Sequence, residues 1–227
     1  MKRRRSNYSQ LHSALLVEKK YYDYPFPLPT GNTNQQDTDI GSNTVSALVK
    51  CPLLGLSQGV NENQRIGRKV AIHSMHIYGC LTLVENATVG SYAQNMNIRC
   101  IIFIDTQNNG TTTTGINEVL DTSPPTTSTI FYFRDLTRGS RFRVLKDEVI
   151  SVSTSNNINS TDNTYQNRDL KYIEYHHNFT KPLMVEYNGT TGAGSELTQN
   201  NIYVAFMKQN NDRDVRFDGL CRIRFSD

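Results

Sequence analysis

Val215-Arg216-Phe217-Asp218-Gly219-Leu220-Cys221-Arg222-Ile223-Arg224-Phe225 places Val215, Phe217, Cys221, Ile223 and Phe225 at one parity and Arg216, Asp218, Arg222 and Arg224 at the other. Successive side chains of a strand point to opposite faces, so this stretch reads as a strand with one face in a core and the other in water. Just upstream, Ile202-Tyr203-Val204-Ala205-Phe206-Met207 is apolar at both parities, as in a strand covered on both sides.

Strand signals continue towards the start of the chain. Val70 and Ile72 share one parity and Met75, Ile77, Leu81 and Leu83 the other, which predicts a bulge or bend near Ser74. Ile98 to Ile104 forms a nearly continuous apolar strand. Further strands are expected over residues 129–133, Arg141 to Ser153, Lys171 to Tyr175 and Leu183 to Tyr187, and a short apolar segment runs from Val45 to Val49. Ile116-Asn117-Glu118-Val119-Leu120 fits one helical turn before Pro124-Pro125 stops it. The chain has 227 residues with 12 Tyr, 9 Phe, 23 Asn and no Trp, a mix that favours strands and long polar loops. About eight strands with few helical signals imply an all-β fold of two packed antiparallel sheets. Periodicity does not separate an immunoglobulin-like sandwich from an eight-stranded antiparallel jelly roll; the uneven connection lengths favour the jelly roll.

Charge is unevenly distributed. The net charge is +3, but residues 1–20 carry Lys2, Arg3, Arg4, Arg5, Lys19 and Lys20 against Glu18, and the remaining residues sum to −2. A cationic arm on a near-neutral body is the pattern of a protein that touches a polyanion with its tail. Tyr8, Leu11 and Leu15 fall at roughly helical spacing, which fits a short amphipathic helix. Tyr21-Tyr22-Asp23-Tyr24-Pro25-Phe26-Pro27-Leu28-Pro29 has three alternating prolines, which forbid helix and disfavour a central strand. It reads as an extended linker whose aromatics either anchor the arm against a neighbouring subunit or stack on bases. The expected organisation is a basic arm and linker over 1–43 and a jelly-roll domain over 44–227.

No constellation points to an enzyme. GxSxG, Walker, HExxH and paired-cysteine patterns are all missing from the sequence. His73 and His76 point to opposite faces unless the bulge intervenes, and His176-His177 diverge. Asp147-Glu148 and Asp212-Arg213-Asp214 read as salt-bridged or solvated turns, and structural calcium is not indicated there. Gly192-Ala193-Gly194-Ser195 lacks a phosphate-loop lysine and reads as a flexible loop tip. Cys80, Cys100 and Cys221 lie in apolar runs and, with Cys51, read as free thiols, buried in the case of those three. The leading residues lack the apolar run of a secretory signal, and no stretch is apolar enough to span a bilayer.

Three segments carry a resemblance. Gly59-Val60-Asn61-Glu62-Asn63-Gln64-Arg65-Ile66-Gly67-Arg68-Lys69-Val70-Ala71-Ile72, with its N-x-R-x-G-x-x-V pattern, resembles the entry to the first jelly-roll strand in coat proteins of small circular single-stranded DNA viruses and of satellite necrosis viruses, a strand expected to end near Gly79. Gly110-Thr111-Thr112-Thr113-Thr114-Gly115-Ile116-Asn117-Glu118-Val119-Leu120-Asp121 is similar to their Thr-rich loop and short helical turn. Arg141-Phe142-Arg143-Val144-Leu145-Lys146-Asp147 looks like their RF-x-VL-x-D strand.

The resemblance implies a capsid protein of the virion; the basic cluster is also compatible with a nuclear localisation signal, and so with the host nucleus during assembly. It implies a jelly roll that self-assembles into a T=1 icosahedral shell of roughly sixty copies. The shell would package a single-stranded genome, DNA in preference to RNA. Lys2, Arg3, Arg4 and Arg5 match the nucleic-acid-binding arm, which Lys19 and Lys20 extend, and Arg65 and Arg68 occupy equivalent positions at the strand entry. Asn63 and Gly67 look structural, Gly67 through a turn geometry closed to other residues. This arm has one four-residue basic cluster where many circular DNA virus coats have a long Arg-rich stretch, and in this it is closer to the satellite RNA viruses. The competing readings are a β-sandwich carbohydrate- or ligand-binding module and a small hydrolase on a β scaffold.

Overall fold

The computed structural model describes residues 19–26, 48–84, 95–108, 115–123, 129–153, 170–209 and 214–227. Nine strands occur among them: β1 Lys20–Phe26, β2 Leu48–Lys50, β3 Lys69–Val84, β4 Asn95–Asp105, β5 Phe142–Ser153, β6 Leu170–Tyr187, β7 Leu197–Gln199, β8 Asn201–Lys208 and β9 Asp214–Ser226. They form two sheets, β1-β9-β3-β6-β7 and β2-β8-β4-β5.

The pairing is nested. β1 pairs with β9, β2 with β8, β3 with β6 and β4 with β5, each antiparallel. With the three-residue β7 set aside, the strands taken in chain order give 1-8-3-6 in one sheet and 2-7-4-5 in the other. That is the order produced when one long antiparallel ribbon is rolled up, so the fold is a jelly roll. The two inner faces meet in one core. Tyr24, Phe26, Ile72, Ile77 and Phe217 of the first sheet oppose Ile98, Cys100, Val204 and Phe206 of the second, and the Phe206 and Phe217 rings are 4.5 Å apart.

Several expectations change in place. The stretch 20–26 is not a linker but β1, the first strand, and its aromatics bury in the chain's own core: Tyr24 and Phe26 are buried, and the Tyr22 hydroxyl donates to Leu54 O at 2.8 Å. Pro25 is tolerated because β1 is an edge strand. The Asn63–Val70 stretch therefore leads into the third jelly-roll strand, and β3 runs past Gly79 to Val84. Residues 129–133 are not a strand; Thr129–Phe131 is a 3-10 turn. The strands expected at 171–175 and 183–187 are one strand, β6.

The expected bulge is present. Across β3 and β6, Ile72 faces Leu183 and Ser74 faces Asn178, so residues 179–182 of β6 lie opposite His73 alone. Pro182 falls inside this irregularity, where a missing N–H breaks no ladder bond. The helical turn is observed as a 3-10 turn at Ile116–Glu118. Tyr8, Leu11 and Leu15 lie outside the described residues. Among the described residues no helix is long and apolar enough to cross a membrane.

Candidate nucleic-acid interface

The eight cations expected to meet phosphate divide into three groups. Lys2, Arg3, Arg4 and Arg5 lie outside the described residues. Lys19 and Arg68 are exposed. Lys20 and Arg65 are buried, at 3% and 0% exposure, and their donors are used inside the protein.

Lys20 opens β1, and its ammonium donates to Gln64 O at 3.2 Å and pairs with Asp227 at 2.9 Å. Arg65 is enclosed more completely. Its Nε donates to Leu56 O at 3.1 Å, Nη1 to Gly67 O at 2.6 Å and Nη2 to Gly189 O at 2.5 Å, with Glu196 at 3.9 Å. Three carbonyls from the β2–β3 and β6–β7 connections thus converge on one guanidinium, whose fixed fork suits such a cluster. Neither side chain has a face left for a phosphate, which corrects both assignments: Lys20 and Arg65 tie the β2–β3 and β6–β7 connections to the start of β1.

The same region redefines its glycines. Gly67 is not in the left-handed region, and an added Cβ would meet nothing closer than 3.8 Å; its carbonyl, not its bare Cα, is what the fold uses. Gly55 at φ 83° and Gly192 at φ 77° are the constrained ones, and a Cβ on Gly192 would lie 2.8 Å from the Leu56 backbone. The Gly192–Ser195 segment is not a free tip either. The Glu196 carboxylate accepts from Thr191 N, Thr191 Oγ1 and Gly192 N, and the Thr191 hydroxyl bond leads the effects that lower its pKa.

Sequence reading assigned no role to the outward face of the β1-β9-β3-β6-β7 sheet. Arg222, Arg224, His76 and His176 are exposed or half-buried there, interleaved with Tyr21, Tyr78 and Tyr172. The face is mixed in sign. Arg222 is held by Asp23 through two 2.7 Å bonds and lies 5.0 Å over Tyr21, and His76 meets Glu174 at 3.1 Å. The bulge turns His73 to this face too, where it bonds Ser226 at 2.9 Å. Among the described residues no three His, Cys, Asp or Glu converge as a metal site.

The second sheet is covered on its outer side by the segment between β4 and β5. Arg99 spans that contact: Nε and Nη2 bind Asp147 at 2.8 and 2.9 Å, and Nη1 donates to Ile130 O and Tyr132 O. Arg134 adds a 3.0 Å bond to Asp147. Burial alone would raise the Asp147 carboxyl, but the hydrogen bonds from Arg99 and Arg134 outweigh it and hold the pKa below the usual carboxylate value. Asp147 and Glu148 therefore lie inside β5 and not in a turn, each with a cationic partner, Lys146 in the case of Glu148. Of Asp212-Arg213-Asp214, the first two lie outside the described residues.

No protein-family model matches this chain, and no curated protein does. Among solved structures, the VP1 of Trichodysplasia spinulosa-associated polyomavirus, in complex with sialylated precision glycooligomers, aligns over 92% of this chain and 93% of that one. Identity is 11% and the TM-score 0.22. At so low an overlap the likeness adds nothing to the strand pairing, on which the jelly-roll assignment rests.

Proposed function

We propose that this chain is a viral coat protein that tiles into a small icosahedral shell and packages single-stranded nucleic acid through its basic leading arm. The observation that carries this reading is the nested jelly-roll pairing of a near-neutral body behind a segment of concentrated positive charge. Fold alone does not assign function. The segregated charge is what separates a coat protein from the other users of this roll.

Removing Lys20 from the arm sharpens the electrostatics. Lys2, Arg3, Arg4, Arg5 and Lys19 against Glu18 leave +4 per copy, so a sixty-copy shell would hold roughly 240 arm charges, enough to neutralise only part of a kilobase-scale genome. Exposed Arg68 is retained as a further phosphate contact; Arg65 and Lys20 are not. Such contacts bind backbone without reading sequence. A DNA genome and a virion location follow from the resemblance noted above and belong to the same proposal.

The carbohydrate-binding alternative has one feature in its favour: an open cleft of about 420 Å³ lined by Tyr21, Tyr22, Asp23, Asn61, Glu62 and Asn63. Tyr22 and Asp23 are already engaged by Leu54 and Arg222. Size-exclusion chromatography with electron microscopy separates the two readings, since a shell elutes in the megadalton range. Deleting residues 1–5 is expected to leave a folded, shell-forming protein with a lower 260/280 absorbance ratio. An unchanged ratio would reject the arm's role.

A further inference from the structure

The segment between β4 and β5 carries Phe131, Phe133 and Leu136 at 61%, 83% and 87% exposure, and Val149, two positions from Asp147 on the same face of β5, is 54% exposed. We propose that this surface is a contact between copies of the chain.

The exposure is built and not incidental. Ile130 is buried and Tyr132 packs against the core, while Phe131 and Phe133 stand out in solvent. Their backbone is held from several sides. Asp121 N donates to Phe133 O at 2.8 Å, Asp135 N to Val119 O at 2.9 Å, and the Arg99 guanidinium, itself clamped by Asp147, takes the carbonyls of Ile130 and Tyr132. The Asp135 carboxylate caps the turn that presents Leu136, accepting from Thr137 N at 2.8 Å. A braced loop that gives its largest apolar groups to water contributes nothing to its own core with them. It is pre-organised to lose them to a surface elsewhere.

Charge and area both point to a second copy as the occupant. The exposed cations beside the patch each meet a carboxylate of the same chain, Arg134 at Asp147, which it shares with Arg99, and Arg138 at Asp135 at 3.5 Å, so repulsion between two identical surfaces is reduced. The four side chains expose roughly 500 Å² per copy, short of the ~800 Å² per partner of a solitary stable pair. That suits a weak contact repeated by symmetry in a closed assembly. The shell reading sets how many copies meet; the contact itself does not depend on it.

The test compares the full-length protein with a Phe133→Ser/Leu136→Ser variant by sedimentation velocity over a concentration series. Circular dichroism and the thermal midpoint check the fold, and Leu136→Gln alone serves if the double variant melts early. The expected result is an association threshold raised about tenfold or more with the fold intact, while Leu220→Ser on the opposite sheet changes nothing. Shells forming at the parent's threshold in the double variant would overturn the contact and leave the shell reading standing. A parent that forms only dimers, lost in the variant, would overturn the shell and keep the contact. A parent that stays monomeric throughout would overturn both.

Discussion

The guanidinium of Arg65 lies 4.2 Å over the ring of Tyr187, whose hydroxyl donates to Leu53 O at 3.1 Å and whose N–H donates to Arg68 O at 2.8 Å. This stack joins the end of β6 to the connection between β2 and β3 and closes one end of the sandwich. Tyr187 ionises only well above its ordinary value, because burial opposes the phenolate.

Arg65→Met is accordingly expected to destabilise the protein by about 3 kcal/mol, because the carbonyls of Leu56, Gly67 and Gly189 lose their donor in a buried site. A urea titration reads this as a lower midpoint. Nucleic acid retained per folded particle should not change. Loss of nucleic acid at an unaltered midpoint would restore Arg65 to the phosphate interface.

Asp147 makes stability acid-sensitive. Its folded pKa is depressed, so its contribution is fully present above the ordinary carboxylate pKa and is lost as pH falls through the lower folded value. Unfolding midpoints should therefore drop as pH falls below about 4. Asp147→Asn should flatten that drop while lowering stability at neutral pH. An identical acid profile for parent and variant would show that other carboxylates dominate.

Gly79 and Gly219 face each other across β3 and β9, and a Cβ on Gly79 would lie 2.5 Å from Asp218 O and 2.8 Å from the Phe217 ring. The ring covers the bare backbone, a way of filling the space that two glycines leave in a sheet. Gly79→Ala is expected to cost about 2 kcal/mol through overpacking, despite alanine's better intrinsic fit to strands. A thermal midpoint equal to the parent's would refute the close approach.

The four cysteines should react unequally. Burial pushes the thiols of Cys51 and Cys100 up to about 12 and raises Cys221 further, whereas Cys80 is half-buried on the outward side of β3. Thiolates are the reactive species. A chromogenic disulfide at pH 8 should therefore titrate one thiol per native chain quickly, and Cys80→Ser should remove it. Fast labelling of two or more would contradict the packing at these sites.

Legibility tracked how local each signal was. The alternation of Val215–Phe225, the doubly buried Ile202–Met207 run and the phase change near Ser74 each depend on side chains a few positions apart, and all three reappear as β9, β8 and the β3 bulge. The Pro-containing aromatic stretch was misread because its strand character depends on β9, which lies nearly two hundred residues away. Residues 129–133 have strand-like side chains, but Arg99 captures the carbonyls of Ile130 and Tyr132, and among the described residues no strand pairs with them. Arg65 gave no warning, since the cavity that swallows it is assembled from carbonyls at 56, 67 and 189. The exposed Phe133 and Leu136 were equally silent in a sequence where apolar residues are expected inside.

By itself the sequence determined the class of structure and the segregation of charge, because period-two patterning and residue counts are properties of neighbouring positions. Only the tertiary structure decided which strand comes first in the roll, which cations are withdrawn from solvent and which apolar side chains are left in it. Those outcomes depend on what distant segments place around each side chain, and burial is a property of that surrounding and not of the residue alone.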